Sequence, residues 1–114
     1  MNEEKLNGLV VSASGGEYWY KDGQLHREDG PAVLQKNGSE CWYMHDRYHR
    51  LDGPAISHPG GNKAWYKEGK RHRDDGPAAI RADGSLEWYK EGNKYEPSAH
   101  DLMVWKMNER ERKT

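Results

Sequence analysis

A unit of 23 residues returns three times in this chain, and this repetition constrains the fold more than any other feature of the sequence. A fourth copy begins at Trp88 and stops after Gly92, and a half copy at 9–15 precedes the first. Self-similarity at a fixed period of this size predicts a repeat array. The three complete copies share a set of residues that, in the first copy, comprises Trp19, Tyr20, His26, Arg27, Asp29, Gly30, Pro31, Ala32 and Gly38.

The residues around each Trp alternate with period two, which predicts a β-strand. In Tyr18-Trp19-Tyr20 the Trp points to one face and both Tyr to the other. Gly23 ends the following turn and supplies the positive φ of a tight hairpin. A second short strand then begins at Pro31, because proline has no N–H to donate within a sheet. Consecutive hairpins of this kind make an antiparallel meander of about seven or eight strands.

The sequence therefore predicts an all-β fold, an elongated antiparallel meander of repeated hairpins with one short C-terminal helix. We expect the repeat sheet over residues 1–96, with repeats at 17–39, 40–62 and 63–85 and a partial repeat at 86–96. Residues 97–114 are expected to form the helix and a charged tail that begins at Glu109. Ser98 and Asp101 have the form of a capping box. The helix would then cover the last edge strand or one aromatic face.

The composition assigns the core to aromatic rings. Hydrophobic residues make up 33% of the chain and Phe is absent, so five Trp and seven Tyr must supply most of the buried surface. A net charge of -1 disfavours direct nucleic-acid binding, which needs a basic excess. The single Cys41 cannot form an internal disulfide. We expect no contact with a membrane, because no apolar run reaches the length of about 18 residues that a spanning helix requires.

The repeated His-Arg-x-Asp motif contains residue types that can serve in catalysis. His26 and Asp29 have the chemistry of a general-base pair, but catalysis needs one such pair oriented on one nucleophile, and this pair occurs three times. Three copies favour a structural role, in which Asp accepts hydrogen bonds from the turn backbone or its own His and Arg pairs with a carboxylate of the next repeat. Equivalent His residues about 10 Å apart cannot share a zinc ion. We therefore predict no catalytic residue, no cofactor and no metal site.

The turn of repeat two departs from the pattern of the others. Where Lys-x-Gly is expected, the chain reads Met44-His45-Asp46, followed by Arg47 and Tyr48. Met, His, Arg and Tyr have the composition of an interface anchor, although drift in a tolerant loop would produce the same departure. The apolar residues of the helix spread widely around it, which leaves some for a dimer mate or a target groove. The candidate partner-binding residues are Met44, His45, Arg47, Tyr48 and Trp105.

The spacing of these residues resembles that of a known repeat family. Hairpin repeats with Gly, aromatic and Gly-x-x-His positions are similar to the MORN repeat, and the form W-Y-x-x-G-x-x-H-R-x-D-G-P-A resembles a MORN-like repeat of small proteins from bacteriophages and large DNA viruses. The resemblance covers residues 17–96, and departs from the ordinary pattern where His-Arg replaces His-Gly and where Asp-Gly-Pro-Ala is inserted. It implies an elongated antiparallel sheet and a binding or scaffolding role.

These observations leave two classes of function open. The first is a non-enzymatic protein-binding module, such as a viral accessory protein that inhibits a host defence factor, for example an anti-CRISPR-like blocker of a nuclease. Its partner would be a host protein, with a nucleic-acid-processing complex as one candidate, in the host cytoplasm. The second is a small-molecule binder that sequesters a nucleotide-like signal, within one chain or across a homodimer. Its ligand-binding residues would be Tyr20, Tyr43, Tyr66, Arg27, Arg50 and Arg73.

Overall fold

The computed structural model describes residues 5–113 and confirms the predicted all-β fold with one C-terminal helix. Its Cα atoms extend over 57 × 28 × 22 Å, as expected for an elongated repeat array. The elements of the described part of the chain are β1 (Gly8–Val11), β2 (Glu17–Lys21), β3 (Gln24–Leu25), β4 (Val33–Leu34), β5 (Glu40–Cys41), β6 (Tyr43–Met44), β7 (Arg47–Tyr48), β8 (Ile56–Ser57), β9 (Lys63–Ala64), β10 (Tyr66–Lys67), β11 (Lys70–Arg71), β12 (Ala79–Ile80), β13 (Leu86–Glu87), β14 (Tyr89–Lys90), β15 (Asn93–Lys94) and α1 (Ala99–Lys113).

The strands divide into one large sheet and a row of hairpins. The main sheet has nine strands in the order β1-β2-β4-β5-β8-β9-β12-β13, with β3 paired to β2. The pairs β6-β7, β10-β11 and β14-β15 form separate two-stranded hairpins. Repeats two and three therefore each contribute a strand to the main sheet, a hairpin beside it and a return strand to the main sheet, whereas the hairpin β2-β3 of repeat one belongs to the main sheet. The main sheet confirms the predicted antiparallel meander, because its path passes through eight strands in chain order, and the separate hairpins are the difference from the prediction.

The difference arises at the Trp of each later repeat, where the predicted continuous strand is broken. The Trp42 N–H donates to the carbonyl oxygen of Ala55 (2.7 Å), while the Trp42 carbonyl accepts from the N–H of His49 (3.0 Å). The same two bonds form at Trp19 in repeat one, so they do not by themselves end a strand; within the described residues, no strand pairs alongside Trp42 or Trp65. The first repeat keeps an unbroken β2 because β1 pairs along its length, from Gly8 opposite Tyr20 to Val11 opposite Glu17.

The hairpin turns confirm the predicted role of glycine. Glu68 and Gly69 have φ values of 49° and 82°, and two consecutive positive φ angles are typical of a type I′ turn. Neighbouring hairpins are joined by backbone hydrogen bonds, such as those from Gly69 N–H to the Tyr48 carbonyl (2.8 Å) and from Arg50 N–H to the Tyr66 carbonyl (3.1 Å). The hairpins therefore form a second row alongside the main sheet.

The Arg of each repeat packs between the Trp and the Gly of its own repeat. In repeat two, the Arg50 guanidinium carbon lies 3.9 Å from the centroid of the Trp42 ring, and a Cβ on Gly53 would lie 2.8 Å from the same carbon. Arg50 also donates through Nε to Asp52 (2.9 Å) and through Nη1 to the Pro54 carbonyl (3.2 Å). The expected pairing of Arg with a carboxylate of the next repeat is therefore wrong. The partner is the Asp two residues later, because the turn brings that carboxylate back to the guanidinium.

The His of each complete repeat joins it to the following repeat. The His49 Nδ1 accepts a hydrogen bond from the Glu68 N–H (2.9 Å), and His26 and His72 accept equivalent bonds from His45 and Glu91 (3.1 and 3.0 Å). The expected hydrogen bond between this His and the Asp of the motif is therefore wrong, because that Asp is turned towards Arg. The His side chain nevertheless joins successive repeats, and the Asp side chain holds the Arg of its own repeat in place.

The helix closes the array at its C-terminal end. Its predicted capping box is confirmed, since the Ser98 N–H donates to Asp101 (2.9 Å) and the Asp101 N–H donates to the Ser98 hydroxyl (3.1 Å). Trp105 then meets Trp88 edge to face, with ring centroids 6.2 Å apart and an interplanar angle of 84°. Trp88 is consequently only 5% exposed. The helix continues to Lys113, through the segment that the sequence assigns to a charged tail.

Candidate functional site

The irregular turn of repeat two adopts the same backbone conformation as the regular turns without their glycine. His45 and Asp46 have φ values of 49° and 65°, a region that is costly for most residues but accessible to Asp. The Asp46 carboxylate accepts a hydrogen bond from the Leu25 N–H (2.6 Å), which fixes the turn to the preceding repeat. The His45 ring stacks on His26 at 4.4 Å between centroids. The turn is therefore an ordered element of the array.

The side chains of this turn divide into exposed and half-buried groups. His45, Asp46 and Arg47 are exposed, and Met44 and Tyr48 are half-buried. The aliphatic stem of Arg47 lies 3.7–3.8 Å from the position of a Cβ on Gly69, in the next turn. Within residues 5–109, no carboxylate forms an ion pair with Arg47. The turn thus presents an exposed guanidinium, on a stem that contacts the next turn, whose charge is available to a partner.

Tyr48 connects the turn to a row of phenol rings on the hairpins. Its ring centroid lies 4.6 Å from that of Tyr43 and 5.0 Å from that of Tyr66. Arg71 extends the row, since its guanidinium carbon lies 5.8 Å from the Tyr66 ring and 5.2 Å from the Tyr89 ring. We call this row the tyrosine strip, defined as Tyr43, Tyr48, Tyr66 and Tyr89. Burial, followed by a hydrogen bond with Tyr48, raises the pKa of Tyr43, so this phenol stays neutral at physiological pH.

The structure brings together four of the five predicted partner-binding residues. Met44, His45, Arg47 and Tyr48 share one hairpin. Trp105 is instead packed against Trp88 and the backbone of Gly76, where it completes the end of the array. Its indole Nε1 is buried with no hydrogen-bond partner among the described residues.

The residues predicted for a nucleotide-like ligand fall into two separate clusters. The three Arg side chains lie over Trp rings, at 4.4, 3.9 and 4.1 Å. Tyr43 and Tyr66 pack on Tyr48, and Tyr20 lies opposite Leu25 at the β2-β3 hairpin. Arg50 and Arg73 both line the cleft between repeats two and three, but the other four predicted residues do not, so the six side chains do not converge on one pocket.

The structure contains a cleft between repeats two and three that sequence reasoning missed. Its volume is about 710 Å³. One wall is the loop 50–54, the other is formed by Trp65 and the loop 72–75, and the remaining lining residues are Lys63, Lys67, Ile80 and Glu109. One sequence signal does mark this place: repeats one and three carry Glu28 and Asp74 within the His-Arg-x-Asp motif, and repeat two carries Leu51. Leu51 is 76% exposed at this cleft.

The charges around the cleft are partly neutralised by local pairs. The hydrogen bond from Arg50 lowers the pKa of Asp52, so this carboxylate is ionised and already paired. Asp74 lies 2.9 Å from His72 Nε2, and Asp75 accepts from Arg73 Nε (3.0 Å). Lys63 and Lys67 make no ion pair with any side chain of residues 5–109. The ammonium groups that remain therefore give part of the cleft a positive character.

Other kinds of site find little support in this part of the molecule. No three His, Cys, Asp or Glu side chains between residues 5 and 109 are grouped so that they could hold a metal ion. Burial raises the pKa of the Cys41 thiol, which disfavours the reactive thiolate. The helix in the described range lacks the length and apolarity needed to traverse a bilayer. Comparison with protein-family models, with curated proteins and with solved structures found no match.

Proposed function

We propose that this chain is a non-enzymatic protein-binding module, a viral accessory protein that occupies the surface of a host defence factor in the host cytoplasm. A nuclease or another nucleic-acid-processing complex is the partner class that we favour. The observation that carries the proposal is the hairpin of repeat two. It presents Arg47 and His45 at its tip and Tyr48 at its base, and aromatic and Arg side chains dominate the binding energy of protein interfaces.

The order of this hairpin supports a role in binding. Asp46 holds the turn through its bond to Leu25, and Arg47 rests on the backbone of Gly69. A partner would therefore meet side chains that have already lost much of their conformational freedom, which lowers the entropic cost of association. The neighbouring tyrosine strip adds amphipathic rings with polar hydroxyl tips, a composition common in interfaces.

The test is to rewrite the hairpin so that it matches residues 67–71 of repeat three. The replacement combines Met44→Lys, His45→Glu, Asp46→Gly, Arg47→Lys and Tyr48→Arg. Because repeat three folds with that sequence, the variant should keep the β-rich circular dichroism spectrum. It should lose a partner captured from host lysate by the unmodified chain, with a decrease in binding free energy of about 2 kcal/mol or more if an anchor is removed.

A matched control changes the other irregular turn. Pro59→Lys with Gly60→Asn restores the sequence found in the corresponding turn of repeat one and leaves His58 in place. Capture that survives the hairpin rewrite but fails in this control would move the binding surface to the other turn. Capture that survives both changes would contradict the proposed site. Calorimetric titration of the unmodified chain with nucleotides tests the small-molecule alternative.

A further inference from the structure

Trp105 fills a cleft between repeats three and four. Its Cδ1 lies 2.8 Å from the position of a Cβ on Gly76, so the indole touches the backbone of the Asp-Gly-Pro loop of repeat three. The same indole packs edge to face on Trp88, the Trp of the next repeat. An aromatic ring is thus held between the loop of one repeat and the Trp of the following repeat.

The open cleft is the same structural position one repeat earlier. A shift of 23 residues converts Gly76 and Trp88 into Gly53 and Trp65, and both of these residues line the open cleft. Trp65 is half-buried, whereas Trp88 under Trp105 is buried. Of these two positions, one holds a flat aromatic ring, and the other is an open cleft within residues 5–109.

The two copies differ in the charges that surround the ring. At the open cleft Lys63 stands where Leu86 stands near the filled cleft, while Lys67 corresponds to Lys90. Leu51, on the opposite wall, replaces the acidic Asp74 of the next repeat. At these three positions the open cleft has one more cation and one fewer carboxylate than the filled cleft, while its other wall carries Arg73, Asp74 and Asp75 where the sequence 23 residues later has Glu96, Pro97 and Ser98. Lys63 and Lys67 offer two ammonium groups to an anion beside the ring, and among residues 5–109 Asp74 and Glu109 are the lining carboxylates that are not paired with an Arg.

We propose that the cleft between repeats two and three binds a planar aromatic ring with an adjacent negative charge. We favour a partner protein as the source of this ring, because an aromatic side chain beside acidic residues supplies both the ring and the charge. In this form the inference rests on the proposed function. A free nucleotide supplies the same chemistry. The cleft adjoins the hairpin of repeat two. Arg47 of that hairpin packs on Gly69, and Lys67, which lines the cleft, lies two residues before Gly69 in the chain. One partner can therefore contact both places.

The test uses small probes that separate the ring from the charge, with binding followed by NMR on the isotopically labelled chain. N-acetyl-tryptophan carries both groups, its amide carries the ring alone, and N-acetyl-alanine carries the carboxylate alone. We expect saturable shifts at the Gly53 amide and the Trp65 indole with the first probe. The amide should bind about two- to fivefold more weakly, the range expected for a partly exposed ion pair, and N-acetyl-alanine should not bind. Absence of shifts at Gly53 and Trp65 with both ring probes would overturn the proposal.

Two variants test the charge and the structural equivalence. Lys63→Glu introduces the residue found at this position in repeats one and two, so the fold should tolerate it. It should weaken the binding of N-acetyl-tryptophan by about two- to fivefold and leave the affinity for the neutral amide unchanged. An unchanged affinity for N-acetyl-tryptophan would contradict the role of charge.

Trp105→Ala empties the second cleft, so indole should raise the melting temperature of this variant more than that of the unmodified chain. An equal or smaller increase for the variant would show that the position of Trp105 is not a binding site for a free aromatic ring.

The source of the ring is assigned by a further pair of probes. An acidic tripeptide with a central tryptophan represents a protein partner, and AMP represents a free nucleotide. Tighter binding of the tripeptide supports the proposed link to a protein partner, and tighter binding of AMP contradicts that link while retaining the ring site. These measurements use the isolated chain and need no partner protein. A negative result for the ring site would therefore leave the result of the capture experiment with the hairpin variant unaffected.

Discussion

Repeats two and three have the same framework but different surroundings. In both, an Arg stacks on Trp, bonds to the Asp two residues later and rests on the Gly of the Asp-Gly-Pro loop. In repeat three the loop is also covered by Trp105. In repeat two the corresponding face borders the open cleft, and the hairpin carries Asp46 where repeat three has Gly69. The comparison shows that the repeated residues build the fold, while the helix and the irregular hairpin decide which surfaces remain available.

The largest difference between the two repeats should appear when the loop glycines are replaced. A Cβ on Gly76 would lie 2.8 Å from both the Arg73 guanidinium carbon and the Trp105 Cδ1, whereas a Cβ on Gly53 meets only the Arg50 guanidinium at that distance. Overpacking a well-filled site costs about 1–3 kcal/mol. We expect Gly76→Ala to lower the free energy of unfolding by about 3 kcal/mol and Gly53→Ala by about 1 kcal/mol.

Urea titration of the two variants measures this difference. Gly60→Ala provides a control, because nothing lies within 4 Å of a Cβ at that glycine and its φ is not in the strained range. Equal losses for Gly53→Ala and Gly76→Ala would show that Trp105 does not constrain the loop of repeat three. The two clefts would then differ less than the contacts indicate.

The fold was largely predictable because its signals are local. Period-two alternation around Trp19 and the glycine that ends each turn require only neighbouring residues, and the capping box at Ser98 lies within four residues. The break of the strand at Trp42 was not predictable, because alternation continues through it. The strand stays unbroken in repeat one, where β1 pairs along β2, so the break depends on whether a further strand lies alongside the Trp.

The candidate site was predictable only in part. The hairpin of repeat two differs visibly from its counterparts, so comparison of the repeats with one another identifies Met44 and Arg47. The cleft requires a loop, the Trp of the next repeat and a helix residue, Glu109, to meet in space. Leu51 was its one local signal, and the sequence gives no measure of its 76% exposure. The role of Trp105 as an internal occupant also depends on where the helix docks.

A smaller effect is expected from the histidines that join successive repeats. His49 Nδ1 accepts the Glu68 N–H, and its removal leaves that donor without its partner, at a cost of about 1–2 kcal/mol. His72 accepts the Glu91 N–H in the same way and also contacts Asp74 through Nε2. His72→Ala should therefore cost as much as His49→Ala, plus about 0.2–1 kcal/mol for the additional exposed contact.

Thermal unfolding of His49→Ala, of His72→Ala and of the double variant His72→Ala with Asp74→Ala measures these losses of stability. In the double variant the contribution of the Asp74 contact should already be absent, so its stability should match that of His72→Ala. Partner binding by His49→Ala should fall only in proportion to unfolding. A fully stable His49→Ala variant that no longer binds its partner would contradict the structural role of this histidine.

The smallest expected effect concerns the Arg50-Asp52 pair of repeat two and its dependence on pH. The hydrogen bond from Arg50 lowers the pKa of Asp52 below its ordinary value of 3.8. A carboxylate whose pKa is lowered in the folded state contributes stability above the pKa of the unfolded state, and this contribution is lost as the pH falls through the folded-state pKa. Asp52→Asn should therefore lower the melting temperature slightly at pH 7, and the difference from the unmodified chain should shrink below about pH 3.8.

Asp22→Asn is the control, because the carboxylate of Asp22 accepts no hydrogen bond from residues 5–109. A difference for Asp52→Asn that stays constant from pH 7 to pH 2 would show that the substitution acts through the shape of the loop instead of through the charge of the pair.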